Sequence, residues 1–225
     1  MHEKPHQHHT REQFQVDRLA FFSDAIIAIA ITLLVLEIKI PSLGEHATWQ
    51  QVRTVYIRQL FYPFMGLFLS FLIIGRLWMR HHEIFEHITA YNRTLIRFNL
   101  YFLFSVVLLP VSTMFMMDEN NPKQISTVVF IFNLALCHLF FLLLLQIIVN
   151  KKNHFYTSDA EPIIRRQQLD CLEFLIFLVI IASMTIYNPL WIQYFVYVFV
   201  AFRIFRRFRN RIIKKKEEPH KKLHA

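Results

Sequence analysis

Six long apolar runs constrain this chain more than any other feature of its sequence. They cover roughly residues 19–38, 57–79, 96–117, 125–149, 168–187 and 189–205, and about 20 residues are needed to cross a bilayer. Long apolar runs separated by short charged stretches are typical of several spanning helices. With 55% apolar residues and only 3 Gly among 225 residues, the composition predicts an all-α polytopic membrane protein with six transmembrane helices.

The distribution of basic residues predicts the orientation and the domains. With both termini in the cytoplasm, 21 of the 25 Lys and Arg residues lie on the cytoplasmic side, as the positive-inside rule requires. We therefore predict a flexible cytoplasmic arm at 1–15, a transmembrane domain at 16–209 and a basic cytoplasmic tail at 210–225. A basic tail that follows a membrane helix favours contact with anionic lipid headgroups over binding of nucleic acid.

The first apolar run opens with a polar motif, Arg18-Leu-Ala-Phe-Phe-Ser-Asp24. An ionisable side chain inside a spanning helix is costly and is usually buried against partners. At about 100° per residue, Asp24 lies nearly opposite an apolar stripe. We therefore predict that Asp24 anchors the helix to its neighbours while the stripe faces another environment. The stripe consists of Phe22, Ala25, Ile29, Thr32, Leu33 and Leu36.

A second polar cluster ends the second run at Trp78, His81 and His82. These side chains can donate hydrogen bonds to a buried carboxylate, which favours a structural network with the first helix. Glu83, Glu86 and His87 follow directly, and these residue types also ligate metals. The residues alone leave both interpretations open. An interfacial cluster that titrates near neutral pH is a further reading, because His changes charge there.

The pattern R-x-x-x-F-S-D at the start of a hydrophobic helix, with W-x-x-H-H at the end of the next, resembles the endosomal and lysosomal potassium channel family and its prokaryotic relatives. The resemblance implies a four-fold assembly in which the first helix lines the pore. It places the inner constriction at Ile29, a threonine layer at Thr32 and an outer hydrophobic layer at Leu36, with secondary lining positions at Phe22, Ala25 and Leu33. It also implies one structural network made of Arg18, Phe22, Ser23, Asp24, Trp78, His81 and His82.

The chain carries one copy of the first-helix motif, so the resemblance implies a homotetramer. It predicts a potassium-selective, leak-type channel in the plasma membrane of a prokaryote, with K+ as the permeant ion and neither a cofactor nor an enzymatic activity. A proton channel or weakly selective monovalent-cation channel is the first alternative. A membrane metalloenzyme that uses the cluster from His81 to His87 is the second.

Overall fold

The structure is a computed structural model that describes residues 11–36, 38, 47–118, 120–150 and 155–188. It divides into two compact units, Met1–Val179 and Ile180–Ala225. The described part of the second unit completes the last helix and ends at residue 188. The α-helices are α1 (Arg11–Leu36), α2 (Trp49–Tyr56), α3 (Tyr62–Phe85), α4 (Arg93–Val107), α5 (Leu109–Met117), α6 (Lys123–Val149) and α7 (Glu161–Tyr187).

Five helical stretches within the described residues are long and apolar enough to cross a membrane. They agree with the first five apolar runs of the sequence, so the predicted all-α membrane architecture is confirmed to that extent. The sixth run, 189–205, and the basic tail lie outside the described residues, as does the N-terminal arm up to residue 10. The five stretches are Phe14–Leu36, Trp49–Phe85, Arg93–Met117, Lys123–Val149 and Glu161–Tyr187.

The second spanning stretch is longer than its apolar run. Thr48 and Gln51 form a capping box at the start of α2, and a π-helical turn at Ile57–Phe61 joins α2 directly to α3. Pro63, near the start of α3, cannot donate a backbone hydrogen bond, and a π turn accommodates such a local defect without ending the helix. The chain therefore forms one continuous helical stretch from α2 into α3.

The third spanning stretch is broken in its middle. The break falls at Leu108, between α4 and α5, because Pro110 has no N–H for the carbonyl of Val106. Near the break, Thr113 donates its hydroxyl proton to the Leu109 carbonyl at 2.7 Å. Ser70 of α3 must therefore be the donor in its 2.6 Å contact with Thr113. This buried bond joins α3 to α5.

The interior of the first unit is built by α4 packing along α6 and by α1 packing on α3 and α4. Phe102 and Phe141 are fully buried there, with ring centroids 5.3 Å apart. At one end of the helices, the connection after α3 meets the connection before α7. Ile88 and Tyr156 form an isolated antiparallel bridge, and Thr89 N–H donates to the Phe155 carbonyl at 2.8 Å.

Candidate functional site

Helix α1 has one buried face and one exposed face. Ser23, Ile27, Ala30 and Leu34 are each at most 2% exposed and pack inside the unit. The predicted stripe lies on the other side, where Ile29 is 57% exposed. None of the residues that the structure describes thus covers the stripe. The other exposed stripe residues are Phe22, Ala25, Thr32, Leu33 and Leu36.

A chain of three hydrogen bonds ties the buried face of α1 to α4 and α3. Ser23 Oγ donates to the carbonyl of Leu19 at 2.9 Å, so its oxygen is left to accept. Asn99 Nδ2 donates to that oxygen at 2.8 Å. The Asn99 Oδ1 atom lies 2.8 Å from His81 Nε2. Because an amide oxygen only accepts, His81 must carry a proton on Nε2.

The His81 ring is held between two aromatic rings. Its centroid lies 4.0 Å from that of Phe85 and 5.5 Å from that of Phe102, and both pairs are stacked. All three side chains are at most 5% exposed. Stacking fixes the plane of the imidazole ring, and the hydrogen bond to Asn99 fixes the rotation of the ring within that plane. The His81 side chain is therefore held in one orientation and links α3 to α4.

Asp24 makes a separate contact with α3. Trp78 Nε1 donates to Asp24 Oδ1 at 2.8 Å. His82 stacks on the Trp78 indole with centroids 5.4 Å apart and lies 3.2 Å from Glu86. The predicted set of network residues therefore divides into two contacts between helices, Ser23–Asn99–His81 and Asp24–Trp78. His82 stacks on the Trp78 indole, and it is the indole that donates to Asp24.

The motif residues Arg18 and Phe22 are both exposed. Neither joins the two contacts in the part of the chain that the structure describes. Asn99 is the residue that sequence reasoning had not assigned to the network, although it links the two partners directly. Its position as an amide within a spanning run, 18 residues after His81, was a signal for an interhelical hydrogen bond but did not identify its partners.

Arg80 lies within α3 and contacts two other helices. Its guanidinium lies over the Phe141 ring, 5.2 Å from the centroid. It donates to the Gln167 carbonyl at 2.9 Å and to Cys171 Sγ at 3.2 Å. Gln167 Nε2 in turn donates to Glu83 at 2.6 Å. Arg80 and Glu83 thus fasten the end of α3 to α7.

The arrangement of the second cluster disfavours a metal centre. His81 is held by Asn99 and two phenylalanine rings, while His82 faces Trp78 and Glu86. Over the residues that can be described, no three His, Cys, Asp or Glu side chains converge as metal ligands. The two histidines therefore serve different contacts and do not form one ligand set.

We expect Trp78→Phe to lower the free energy of unfolding by about 1–2 kcal/mol. A hydrogen bond to a charged group contributes about 1.5–3 kcal/mol, and the partial exposure of Trp78 reduces that value. Asp24→Asn keeps an acceptor oxygen and should cost less. Denaturant unfolding of the two single variants and the double variant in detergent measures the coupling energy between Asp24 and Trp78. If the losses of unfolding free energy in the single variants simply add in the double variant, the contact contributes nothing.

Residues 18–110 match the family model described as endosomal/lysosomal potassium channel TMEM175. This segment contains the motif of α1, the cluster at the end of α3 and Asn99. The family resemblance stated from the sequence is therefore confirmed.

Curated relatives match part of the chain. A protein named as a potassium channel from Chryseobacterium sp. (strain P1-3) is 36% identical over 96 residues, which is 43% of this chain and 46% of the relative. A protein named as an endosomal/lysosomal proton channel TMEM175 from Danio rerio is 29% identical over 138 residues, or 56% of this chain and 26% of the relative. The alignments span less than half the length of these relatives.

A solved structure shares the fold. It is described as a lysosomal potassium-selective channel TMEM175 homologue from Chamaesiphon minutus, with a TM-score of 0.66 and 21% identity. The match covers 86% of this chain and 98% of the solved chain. These matches support a channel and do not support the metalloenzyme alternative.

Proposed function

We propose that this chain, which carries the TMEM175 segment in residues 18–110, forms a potassium-selective, leak-type channel with α1 around its pore. The observation that carries the proposal is the uncovered stripe of α1. Ile29 and Leu36 are 57% and 77% exposed, while Ile27 and Leu34 on the opposite face are 1% and 2% exposed. A helix with this division can pack on its own subunit and present apolar side chains to a central axis.

One copy of α1 cannot surround an axis, so the proposed pore needs several copies of the chain. The family resemblance sets that number at four, as a homotetramer in a prokaryotic plasma membrane with both termini in the cytoplasm. Around the axis, the four Ile29 side chains would form the inner constriction and the four Leu36 side chains the outer layer. Helix rise separates the two layers by about 10 Å. A hydrophobic constriction of this kind can gate by losing its water.

The hydroxyl of Thr32 suits a cation site between these two layers. Its proton is donated to the carbonyl of Ile29 at 2.9 Å. The oxygen lone pairs are thus available to water or to a cation. Potassium holds its hydration shell less tightly than sodium, so a ring of such oxygens can replace part of that shell at lower cost for potassium. The motif network then has a positioning role, since Ser23, Asn99 and His81 fix the rotation of α1 about its axis.

A proton channel or weakly selective cation channel is the second candidate. The observation that favours it is the name of the Danio rerio relative, which describes a proton channel. Reversal potentials of purified protein in liposomes, measured under separate potassium, sodium and pH gradients, distinguish the two. The main proposal predicts a reversal potential that follows the potassium gradient, and it is wrong if the reversal potential follows pH and ignores potassium.

We expect Thr32→Val to lower the permeability ratio of potassium over sodium by roughly five-fold, because it removes the oxygen and keeps the shape. This factor of five corresponds to the ~1 kcal/mol that one hydrogen bond contributes on balance. Thr54→Val is the matched control, since that hydroxyl is also exposed and also donates to a carbonyl of its own helix at 2.9 Å, but lies in α2. Equal permeability ratios for wild type and Thr32→Val would contradict the proposal that Thr32 lines the pore.

A further inference from the structure

A groove of about 360 Å³ opens between the start of α4 and the end of α6. Its floor is apolar and consists of Phe98, Leu143 and Ile147, all half-buried. The Phe98 ring is held in place by an edge contact with Tyr101, with centroids 5.7 Å apart. By the share of liquid volume per water, the groove has room for roughly a dozen water molecules. It can therefore hold a small headgroup together with the first part of an attached chain.

The rim of the groove is polar and uncharged. It carries the amide side chains of Asn92, Gln146 and Asn150 and the hydroxyl of Thr94. Asn92 also caps α4, since its Oδ1 accepts from Leu95 N–H at 2.9 Å. Amides and hydroxyls at this position can donate hydrogen bonds to phosphate oxygens.

Basic groups stand beside the rim. Arg97 is exposed and donates to Thr94 Oγ1 at 3.3 Å, and Arg93 lies one turn before it on the same side of α4. The N-terminus of α4 adds a partial positive charge. None of the residues that line the groove is acidic. Arg97 and the N-terminus of α4 thus place positive charge beside the rim.

We propose that this groove binds one anionic phospholipid, with the phosphate at the rim near Arg97 and the acyl chain leaving along Phe98 and Leu143. A soluble phosphate would use the charges and amides but not the apolar floor, so the floor favours a lipid. The groove lies at the end of the helices that the basic residues place in the cytoplasm, where anionic headgroups contact membrane proteins. The lipid would join α4 to α6 and would be distinct from any headgroups at the basic tail.

Native mass spectrometry of the retained lipid tests the proposal. The full-length protein is first equilibrated with vesicles that contain equal amounts of phosphatidylglycerol and phosphatidylcholine. Wild type should retain phosphatidylglycerol in preference to phosphatidylcholine. Arg97→Gln should reduce that retention by about five-fold, the equivalent of the ~1 kcal/mol per basic residue at an anionic surface. Arg166→Gln is the matched control, because Arg166 is an exposed arginine on α7, whereas the groove lies between α4 and α6 and Arg97 contacts Thr94 of its rim.

A second variant tests the cavity and keeps every charge. Thr94→Phe fills the groove and should release phosphatidylglycerol as effectively as Arg97→Gln does. Full retention by Thr94→Phe, or equal losses in Arg97→Gln and Arg166→Gln, would overturn the proposal in favour of general attraction to the basic surface. Displacement of the lipid by millimolar glycerol phosphate would overturn the lipid assignment in favour of a soluble phosphate. The thermal midpoint provides an independent readout, since phosphatidylglycerol should raise it in wild type and not in Thr94→Phe.

Discussion

Replacing Ile29 with alanine should raise ion flux through the proposed tetrameric channel by at least about ten-fold. The change removes three carbons per subunit, and each buried CH2 corresponds to ~0.8 kcal/mol of preference for an apolar environment. Summed over the four Ile29 side chains of the proposed ring, the lost preference for an apolar environment is far more than the ~1.4 kcal/mol that changes a rate ten-fold. A wider and less apolar constriction stays hydrated for more of the time. Single-channel recording or liposome flux per reconstituted tetramer measures the effect.

Two control variants separate a pore effect from a general effect on α1. Val35 is 61% exposed but lies outside the stripe, and Ile27 is 1% exposed on the buried face. Val35→Ala should leave flux unchanged. Ile27→Ala should cost about 2–5 kcal/mol of stability, as other buried Ile to Ala changes do, without raising flux per channel. If Val35→Ala increases flux while Ile29→Ala does not, the pore-facing side of α1 has been assigned with the wrong rotation.

The division of α1 into two faces could be predicted because it depends on a local property. A helix turns by about 100° per residue, so the sequence alone places Ile29 and Leu36 together and Ile27 opposite them. The five described membrane spans could be predicted for a similar reason, since each contains a continuous apolar run. In both cases the signal lies within one helix.

The partners of each polar side chain could not be predicted in the same way, because they depend on how helices pack. Asn99 is 76 residues from Ser23 and 18 from His81 in the chain, and no sequence spacing encodes that they meet. The partners of Arg80 depend on packing in the same way. The structure places its guanidinium over Phe141 and against α7. Such contacts follow from tertiary packing.

Replacing Asn99 with leucine should lower the free energy of unfolding by about 2–4 kcal/mol. Loss of the bond to Ser23 should cost about 1 kcal/mol, because Ser23 still donates to the Leu19 carbonyl. The His81 Nε2 proton is left buried without its partner, which costs about 1–3 kcal/mol. Asn133→Leu is the matched control, because buried Asn133 makes one bond, to Ser112 Oγ at 2.9 Å, and its Oδ1 has no partner among the described residues. The control should cost about 1 kcal/mol, the usual net value of one bond.

The triple variant Ser23→Ala, Asn99→Leu, His81→Phe decides whether the loss comes from unsatisfied polar groups or from altered packing. Replacing all partners with apolar groups of similar shape can be nearly neutral, so the triple variant should recover most of the stability that Asn99→Leu loses. Denaturant unfolding in detergent and the tetramer fraction by mass measurement provide the two readouts. A triple variant as unstable as Asn99→Leu would mean that Asn99 acts through its shape. Recovered stability with altered flux would instead show that these bonds set the rotation of α1, and with it the position of Ile29 and Thr32 at the proposed pore.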